Sequence, residues 1–441
     1  MLGIKNLSSP ATAKLGNKLS MLGMGVAIGA TLANPTISGF TLILIGIGIG
    51  AAIGVVAAIK VEMTSMPEMV ALFNGCGGAA SALVALAEFQ GNSGGFESFN
   101  LITLLLSIII GSLTFTGSVI AFGKLQGIVS TRPITYTGQQ VINGLIVLAT
   151  IVLAVVVYQN TGNVLAFYGI ILLSLALGVL AVIPIGGADM PVIISLLNSY
   201  SGLAVSMTGF ALNNNALIIV GSLVGASGLF LTKIMCDAMN RSLANVLFSA
   251  FGSVDESVDA GEGPTGSMKG FEVEDVAIAL ENADSVIIVP GYGMAAAQAQ
   301  HVTRELGDFL IEEGIEVRYA IHSVAGRMPG HMNVLLAEAD VSYDLLFAME
   351  DINDDFSSTD VVLVIGANDV VNPAAKTNPG SPIYGMPVLN VEEARAVVVL
   401  KRSMNVGFAG IENELFYKDN TMMLFGDAKD SVQKLLSAVK E

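Results

Sequence analysis

Hydrophobic positions follow two different patterns along the chain. Before about residue 240, long apolar stretches recur, and most approach the roughly 20 residues that a helix needs to cross the hydrocarbon core of a membrane. After about residue 270, short β-branched runs alternate with stretches typical of helices, as in a sheet of buried parallel strands. The apolar stretches predict eight membrane crossings, at residues 17–24, 37–59, 68–87, 101–122, 139–158, 163–183, 190–210 and 214–235.

The two patterns predict a polytopic α-helical membrane bundle of about eight transmembrane helices, followed by an α/β domain with a doubly wound, Rossmann-like parallel sheet. We expect the bundle in residues 1–245, an acidic glycine-rich linker in 246–272 and the α/β domain in 273–441. The strands of that domain are predicted at Val286–Val289, Glu316–Ile321, Tyr343–Ala348, Val361–Ile365, Pro387–Leu389 and Ala396–Leu400.

The distribution of charge predicts how the chain is oriented. Residues 1–245 carry eight Lys or Arg and six Asp or Glu, whereas residues 246–441 carry twelve and thirty-one. An acidic α/β domain without a basic stripe argues against nucleic acid as a partner. With eight crossings, all cations of the first part fall on the side of the α/β domain, so the positive-inside rule places that domain in the cytoplasm, or in the matrix or stroma of an organelle. These cations are Lys5, Lys14, Lys18, Lys60, Lys124, Arg132, Lys233 and Arg241.

The cysteines and histidines predict no metal site. Cys76 and Cys236 are 160 residues apart in apolar or membrane-flanking sequence, so neither a disulfide framework nor a metal site is expected. All three histidines follow residue 300, and they form no ligand cluster in the sequence. A proton route through the bundle would therefore need a titrating group from elsewhere.

Polar residues in or beside the predicted crossings are the candidate functional groups of the bundle. Such groups are costly in a membrane and often line a path for ions or protons, although interhelical hydrogen bonding is the simpler explanation for any single Asn or Ser. Asp189 precedes a predicted helix, where the helix dipole favours its charge, so capping alone could explain it. The candidates are Glu68, Asn74, Asp189, Asn198, Ser199 and Ser227.

A glycine motif follows the first predicted strand of the α/β domain. Gly291-x-Gly293-x-x-Ala296 stands between this strand and a run of helix formers, Met294 to Gln300. That spacing is the strand–turn–helix pattern that lays a dinucleotide pyrophosphate on a helix N-terminus. Gly291 would permit the turn, Gly293 would let the backbone approach the phosphates, and Ala296 would let helix and strand pack closely. The alternative is a glycine-rich turn beside an empty crevice.

Charge near the strand ends favours NADP over NAD. An NAD site has an acidic residue at the end of the second strand, and residues 318–327 contain none. Lys401-Arg402-Ser403, at the end of the strand predicted last, would form a phosphate clamp unless it is a solvated basic pair. Asp369, in Gly366-Ala-Asn-Asp369, is either a turn former or a carboxylate that responds to the cofactor.

A series of long motifs, in one order along the chain, points to a family. They are Lys60–Met69, Phe115–Lys124, Gly186–Pro191, Leu197–Gly202, Ile234–Ser242, Pro290–Ala295, Val324–Asn333, Gly366–Asp369 and Lys401–Asn405. Over nearly its whole length, the chain resembles the β subunit of the proton-translocating NAD(P) transhydrogenases. The resemblance implies an enzyme that moves hydride between NADPH and NAD while a proton crosses the membrane, with the bundle translocating the proton and residues 273–441 holding NADP(H).

The resemblance also implies partners and a location. Hydride transfer needs two nicotinamides in near contact, and this chain carries one dinucleotide motif. NAD(H) therefore belongs to a partner α subunit that also brings further transmembrane helices. The family expectation is a dimer of αβ units, surrounded by membrane lipid in the bacterial inner membrane, with the NADP domain in the cytoplasm.

Residue roles carried over from the family fall into two sets. In the membrane half, Asn198 and Asp189 match residues of proton translocation, Arg241 matches an arginine at the hinge to the soluble domain, and Asn74 takes a position where some members have histidine. Asp369 matches a carboxylate of the coupling mechanism. The expected cofactor contacts are Gly291, Tyr292, Gly293, Met294, Ala295, Ala296, Val324, Ala325, Gly326, Arg327, Gly366, Ala367, Asn368, Asp369, Lys401, Arg402 and Ser403.

The sequence departs from the family pattern in three places, and two other functions are alternatives to a transhydrogenase subunit. With Asn74 in place of histidine, the titrating group would come from a helix of the α subunit, and Phe408 stands where tyrosine is frequent. The family usually has one more N-terminal crossing, so we expect that either the start of this sequence is incomplete or the bundle has lost a helix. The alternatives are a channel or transporter with a regulatory cytoplasmic dinucleotide domain, disfavoured because no Thr-Val-Gly-Tyr-Gly filter is present, and a scaffold with a vestigial nucleotide fold.

Overall fold

The protein is represented by a computed structural model that describes residues 2–7, 10–33, 39–92, 96–131, 133–248, 268–328, 330–381, 383–407 and 409–441. Its residues group into two compact units, Met1–Met63 and Thr64–Glu441. Arg132, Phe408 and most of the predicted linker lie outside the described residues.

The first unit consists of helices. The short helix α1 (Leu2–Leu7) packs on α2 (Pro10–Leu32), which contains the first predicted crossing, and α3 (Phe40–Lys60) is the second. No residue of α3 is buried within the structure, as expected for an apolar helix whose surroundings are lipid or other helices.

The long apolar helices follow the predicted crossings closely. Among the described residues, seven helices, α3 to α9, are long and apolar enough to span a membrane. Seven of the eight predicted crossings are thus confirmed by length and composition. The exception is α2, a full-length helix whose apolar character is reduced by Lys14, Asn17 and Lys18. The helices of the second unit's bundle are α4 (Met66–Gly91), α5 (Ser98–Leu125), α6 (Gln139–Gln159), α7 (Val164–Val182), α8 (Met190–Ala211), α9 (Asn215–Ala238) and the short α10 (Leu243–Phe248).

Helix α8 is the most buried helix of this bundle and packs against α4, α5 and α9. Small residues allow these helices to approach closely. A Cβ atom at Gly202 of α8 would lie 2.3 Å from the backbone nitrogen of Gly225 in α9. A Cβ atom at Gly111 of α5 would lie 2.6 Å from the carbonyl oxygen of Gly78 in α4. The glycines of the crossings therefore serve interhelical packing, as the composition predicts.

The α/β domain contains one sheet of six parallel strands in the order β3-β2-β1-β4-β5-β6, which confirms the doubly wound fold. The order reverses between β1 and β4, so ligand sites of this fold class lie beyond the carboxyl ends of those two strands. The elements are α11 (Val273–Glu281), β1 (Ser285–Pro290), α12 (Tyr292–Ala296), α13 (Gln300–Glu312), β2 (Glu316–Ile321), α14 (His331–Glu338), β3 (Leu346–Ala348), α15 (Met349–Ile352), β4 (Val361–Ile365), α16 (Ala374–Thr377), β5 (Ala396–Lys401), β6 (Thr421–Phe425) and α17 (Ala428–Ala438).

One predicted strand is wrong, one is too long, and one strand of the sheet was not predicted. Pro387–Leu389 is irregular, because proline offers no N–H to a ladder and the Leu389 N–H instead donates to the carbonyl of Val370 (3.0 Å). The sixth strand is β6, whose sequence is rich in methionine and carries only one β-branched residue. Residues 343–345 form a 3₁₀ turn, so β3 begins at Leu346.

The run of helix formers after the glycine motif, Met294 to Gln300, is divided between two helices. Helix α12 has only five residues, and Gln298 takes a left-handed conformation (φ 51°) before α13 starts at Gln300. The alanine-rich sequence favours a helix throughout, but propensity is a weak determinant against tertiary packing. Ala299, in the break, is completely buried.

Candidate dinucleotide site and polar clusters of the bundle

Two glycine loops interlock at the point where the strand order reverses. The Gly291 N–H donates to the carbonyl of Ile365 (2.9 Å), and the Gly293 N–H donates to that of Gly366 (2.8 Å). A Cβ atom at Gly291 would lie 2.4 Å from the Ala367 Cα, and one at Gly366 would lie 2.3 Å from the Gly293 Cα. The glycines are therefore required by the approach of one loop to the other. Gly291 itself is extended (φ −130°, ψ −177°), a conformation open to any residue.

The N–H groups of Gly291 and Gly293 hold the two loops together. Each donates to a carbonyl oxygen at or just after the end of β4. Helix α12, which contains Met294, Ala295 and Ala296, has only five residues, so its dipole is much smaller than that of a long helix. Charged side chains at the carboxyl edge of the sheet are further candidates for binding phosphate groups.

A pair of cations stands at this edge, where β5 ends. Arg402 is exposed, and the Lys401 Nζ lies 4.5 Å from the centre of the Phe416 ring. Within the part of the chain that the structure describes, neither cation forms an ion pair with a carboxylate. Burial lowers the pKa of Lys401, and the charge of Asp369 partly offsets this effect. With the half-buried Ser403, the pair has the chemistry of a phosphate clamp.

Asp369 organises the loop that follows β5. It begins a 3₁₀ turn, its Oδ2 accepts a hydrogen bond from the Ala409 N–H (3.0 Å), and a Cβ atom at Gly407 would lie 2.3 Å from its Oδ1. The preceding Asn368 accepts hydrogen bonds from Asn413 on its backbone oxygen (2.9 Å) and on its side chain (3.3 Å). The predicted segment Gly366–Asp369 thus connects the glycine loop of β1 with the chain beyond the clamp.

The loop after β2 places Arg327 over the glycine motif. Gly326 has a left-handed backbone (φ 102°), and a Cβ atom there would lie 2.5 Å from His331 Nδ1, so glycine is required. The Arg327 N–H donates to the same His331 nitrogen (3.0 Å), and the Arg327 guanidinium lies 4.3 Å from the centre of the Tyr292 ring. Burial, and then the charge of Arg327, lower the pKa of His331 to about 4, so this imidazole is neutral.

The same loop contacts the membrane bundle. Arg327 Nη1 donates to Glu68 Oε1 (2.8 Å) on α4 and to the carbonyl oxygen of Leu125 (2.9 Å) at the end of α5. Val324 packs against the apolar cluster formed by the ends of the bundle helices, and Ala325 is buried. A second contact joins Asn240 Nδ2 to the carbonyl oxygen of Tyr384 (3.2 Å). The carboxyl edge of the sheet therefore faces the bundle.

Two predicted residues of the bundle, Asp189 and Arg241, form an ion pair. Arg241 Nη1 lies 2.9 Å from Oδ1 and 3.0 Å from Oδ2 of Asp189, which is buried. Asp189 directly precedes α8, yet its side chain makes no capping hydrogen bond, so capping alone does not explain this residue. The pair connects the start of α8 to the segment that follows α9.

Asn74 is the centre of an interhelical cluster. Its Nδ2 donates to Ser118 Oγ (2.9 Å) on α5, and its Oδ1 accepts from Ser201 Oγ (2.7 Å) on α8. Asn198 lies one helical turn before Ser201, is half-buried, and has no side-chain hydrogen bond to any described residue. Ser199 donates to the Gly225 carbonyl of α9 (2.7 Å), whereas Ser227 donates to the Val224 carbonyl of its own helix (2.9 Å).

Sequence reasoning missed two functions of charged residues. Glu68 was a candidate polar group, but its partner Arg327 is 259 residues away, and no local signal connects them. In the sequence, Lys124 indicated only on which side of the membrane the loops lie. In the structure it is fully buried, and its Nζ donates to the carbonyl oxygens of Ile183 and Ile185 (2.6 Å each), just beyond α7.

The bundle of long apolar helices and the Rossmann-ordered sheet, with glycine loops at its reversal point, define a membrane-spanning protein with an α/β domain of the dinucleotide-binding class. Residues 1–438 match the family model described as NAD(P) transhydrogenase beta subunit. The NAD(P) transhydrogenase subunit beta of Rhodospirillum rubrum is 51% identical over 448 aligned residues, which cover 100% of this chain and 96% of the relative. The protein from a specified strain of that species shows the same identity and coverage.

The chain therefore belongs to the family of NAD(P) transhydrogenase β subunits. It is an integral membrane subunit of an enzyme that uses nicotinamide nucleotides, and the β-subunit family implies an α-subunit partner. Membership of this enzyme family argues against the two alternative functions, a channel or transporter with a regulatory dinucleotide domain and a scaffold with a vestigial nucleotide fold.

Proposed function

We propose that residues 273–441 bind NADP(H) at the carboxyl edge of the sheet, and that NAD(H) binds to the α subunit. The observation that carries this proposal is the pair Lys401 and Arg402, two cations without a carboxylate partner among the described residues, at the strand end next to the interlocked loops. A 2′-phosphate would supply the missing negative charge, and Ser403 would add a hydroxyl donor. NADP(H) has this phosphate, whereas NAD(H) lacks it.

The chain's other residues at this edge would position the nucleotide. The loops containing Gly291–Ala296 and Gly366–Asp369 supply a rigid floor at the reversal point, because each glycine is required by the opposite loop. Arg327, stacked on Tyr292, supplies a further guanidinium near the floor. When bound, NADP(H) would supply the hydride donor or acceptor for transfer to or from the nicotinamide on the α subunit.

We further propose that hydride transfer is coupled to proton movement through residues 1–245. The carboxyl edge of the sheet faces the bundle, so a change at the nucleotide can reach the ends of α4, α5 and α9 without a long mechanical path. Asp189 and Arg241 lie at that end, while Asn74 and Asn198 lie deeper and would line the proton path. Because this half of the chain contains no histidine, a helix of the α subunit would supply the titrating group.

The remaining features of the proposal concern orientation and assembly. The cations of the bundle segments favour a cytoplasmic α/β domain in a bacterial inner membrane. Residues 246–272 would form the linker between the two domains. A dimer of αβ units in lipid would bury the apolar surfaces of α3 and α6, most of whose residues are exposed in the single chain.

The clamp can be tested in membranes that contain this chain and its α subunit. We expect Arg402→Ala and Lys401→Ala to raise KM for NADPH by about ten- to a hundredfold, because each loses a charged hydrogen-bond donor to the phosphate. KM for the NAD analogue should not change. The matched control is Lys440→Ala, whose ammonium lies over the Phe309 ring beyond α17. An unchanged KM for NADPH in both clamp variants would refute the proposed phosphate site.

Coupling has a separate test in the same membranes. A proton gradient should change the rate at which NADPH reduces the NAD analogue, and an uncoupler should remove this effect. If the rate is the same with and without the gradient, the enzyme transfers hydride without moving protons, and the coupling proposal is wrong even though the nucleotide site stands.

A further inference from the structure

Arg327 connects the nucleotide edge of the sheet to the membrane bundle through one guanidinium group. Its Nη1 donates to Glu68 Oε1 (2.8 Å) and to the Leu125 carbonyl oxygen (2.9 Å), while the guanidinium lies 4.3 Å from the centre of the Tyr292 ring. Glu68 and Leu125 belong to α4 and α5, whereas Tyr292 follows the first glycine of the β1 loop. A single side chain therefore contacts both parts of the proposed coupling machinery.

Arg327 is suited to a phosphate group as well as to a carboxylate. It follows β2 at the carboxyl edge, and its guanidinium is stacked on Tyr292, in the glycine loop of the proposed nucleotide site. A guanidinium forms charge-assisted hydrogen bonds with carboxylate and phosphate oxygens through the same donors. In this structure its Nη1 donates to Glu68 and to the Leu125 carbonyl.

Glu68 depends on this arginine. Its side chain is 5% exposed, and its second oxygen, Oε2, is buried without a hydrogen-bond partner among the described residues. A buried carboxylate is stable only when paired or well hydrogen-bonded, and removing the partner of a buried ion pair is costly. The first turn of α4 gives the charge some support, because Glu68 lies at the positive end of the helix dipole.

We infer that Glu68 and bound NADP(H) compete for Arg327, which makes Glu68 a positioning residue for the nucleotide site. This inference rests on the proposed NADP(H) site. In the pose of this structure, Glu68 and the end of α5 hold Arg327 away from the phosphates. When the nucleotide binds, Arg327 turns to it, and Glu68 and the Leu125 carbonyl lose their shared donor. Nucleotide occupancy is thereby transmitted to the first turn of α4 and the last turn of α5.

The competition would reach the polar cluster of the bundle by a short path. Asn74 follows Glu68 on α4 at a distance of about 9 Å along the helix axis, since each residue adds about 1.5 Å. Its partner Ser118 lies on α5, the helix that ends at Leu125. A shift of either helix end on release of Arg327 therefore acts on the two helices that hold the Asn74–Ser118 hydrogen bond.

The test compares Glu68→Gln with the wild-type chain, both assembled with the α subunit. Glutamine keeps the shape of the side chain and removes the charge that attracts Arg327. Because a state that competes with the ligand raises the apparent Kd, we expect Glu68→Gln to bind NADPH about tenfold more tightly by titration calorimetry. KM for NADPH should fall by a similar factor, while KM for the NAD analogue stays constant. The matched control is Glu88→Gln, at the other end of α4, which should leave NADPH affinity unchanged.

Hydrogen–deuterium exchange supplies a readout that does not depend on activity. In the wild-type complex, adding NADPH should increase exchange in peptides covering 66–70 and 122–128, because the contact with Arg327 is lost. In Glu68→Gln, exchange there should already be raised and should change little on adding NADPH. Glu68→Asp keeps the charge but withdraws it by one methylene, so its affinity for NADPH should lie between those of the wild type and Glu68→Gln. This variant replaces Glu68→Gln in the test if the glutamine variant does not assemble.

The possible failures are distinguishable. If neither the wild-type nor the variant complex binds NADPH, the proposed nucleotide site is wrong. If both bind NADPH with equal affinity, or if Glu68→Gln binds it more weakly, the site stands and the competition for Arg327 is overturned. An increase in exchange on adding NADPH that is equal in wild type and Glu68→Gln would overturn it as well.

Discussion

Arg241 Nη1 lies between the two carboxylate oxygens of Asp189, 2.9 and 3.0 Å from them, although the residues are 52 positions apart in the chain. The Asp189 side chain is 10% exposed, whereas that of Arg241 is 31% exposed. The pair connects the entry of the most buried helix, α8, with the chain that leaves the membrane bundle after α9. It is therefore placed to transmit a displacement between the two helices.

We expect Arg241→Met to destabilise the protein more than Asp189→Asn does. Arg241→Met leaves a buried carboxylate without its counter-charge, at a cost of about 3–5 kcal/mol, whereas Asp189→Asn leaves a cation that can turn to water. Thermal unfolding of the purified complex measures both, and Lys233→Met, an exposed cation on α9, is the control. A smaller cost for Arg241→Met than for Asp189→Asn would contradict this account of the pair.

Lys124 provides a second test of a buried charge. Its ammonium satisfies the carbonyl oxygens of Ile183 and Ile185 beyond α7, and methionine would leave both acceptors buried without that donor. We expect Lys124→Met to lower the free energy of unfolding by about 1–3 kcal/mol. Lys60→Met, at the exposed end of α3, should have no measurable effect. Equal stability of the two variants would show that water or backbone rearrangement satisfies the carbonyls.

His331 predicts a dependence of stability on pH. Its pKa in the folded protein is about 4, below the usual 6.5, because of burial and the nearby charge of Arg327. Above pH 6.5 the imidazole is neutral in both states and costs nothing. As pH falls from 6.5 to about 4, the unfolded chain takes up a proton that the folded chain does not, so stability is lost, by at most about 3 kcal/mol.

The contribution of this histidine can be isolated by substitution. We expect His331→Asn to have a smaller loss of stability between pH 7 and pH 5 than the wild type, measured by denaturant unfolding. His301→Gln, at an exposed position on α13, should retain the wild-type pH dependence. Identical pH profiles for His331→Asn and the wild type would mean that other groups control the transition.

The interlocked loops predict a strong effect at Gly366. It has φ 67°, and an added Cβ atom would lie 2.3 Å from the Cα of Gly293, in backbone that cannot move aside without opening the other loop. We expect Gly366→Ala to lose NADPH binding and more than about 2 kcal/mol of stability. Gly314→Ala is the matched control, since Gly314 has φ 89° but open space where the Cβ would lie. It should cost about 1 kcal/mol and leave binding intact.

Local pattern was sufficient to predict most of the elements. The crossing predicted at 190–210 is α8 (Met190–Ala211), and the β-branched runs at 286–289 and 361–365 are the two central strands. Both follow from composition over a few turns or a few residues, because a membrane crossing and a strand in a sheet core both need mostly apolar side chains. The strand β6 escaped this reasoning, since its methionines fit a helix equally well.

By itself, the sequence determined the class of each half, the order of the elements and the chemistry available at the strand ends, because these depend on neighbours along the chain. Only the tertiary structure decided which groups meet: Arg327 with Glu68, Arg241 with Asp189, and the glycines of β1 with those of β4. Contacts between residues that are distant in the chain are set by the packing of whole helices and strands, and a local pattern carries no information about that packing.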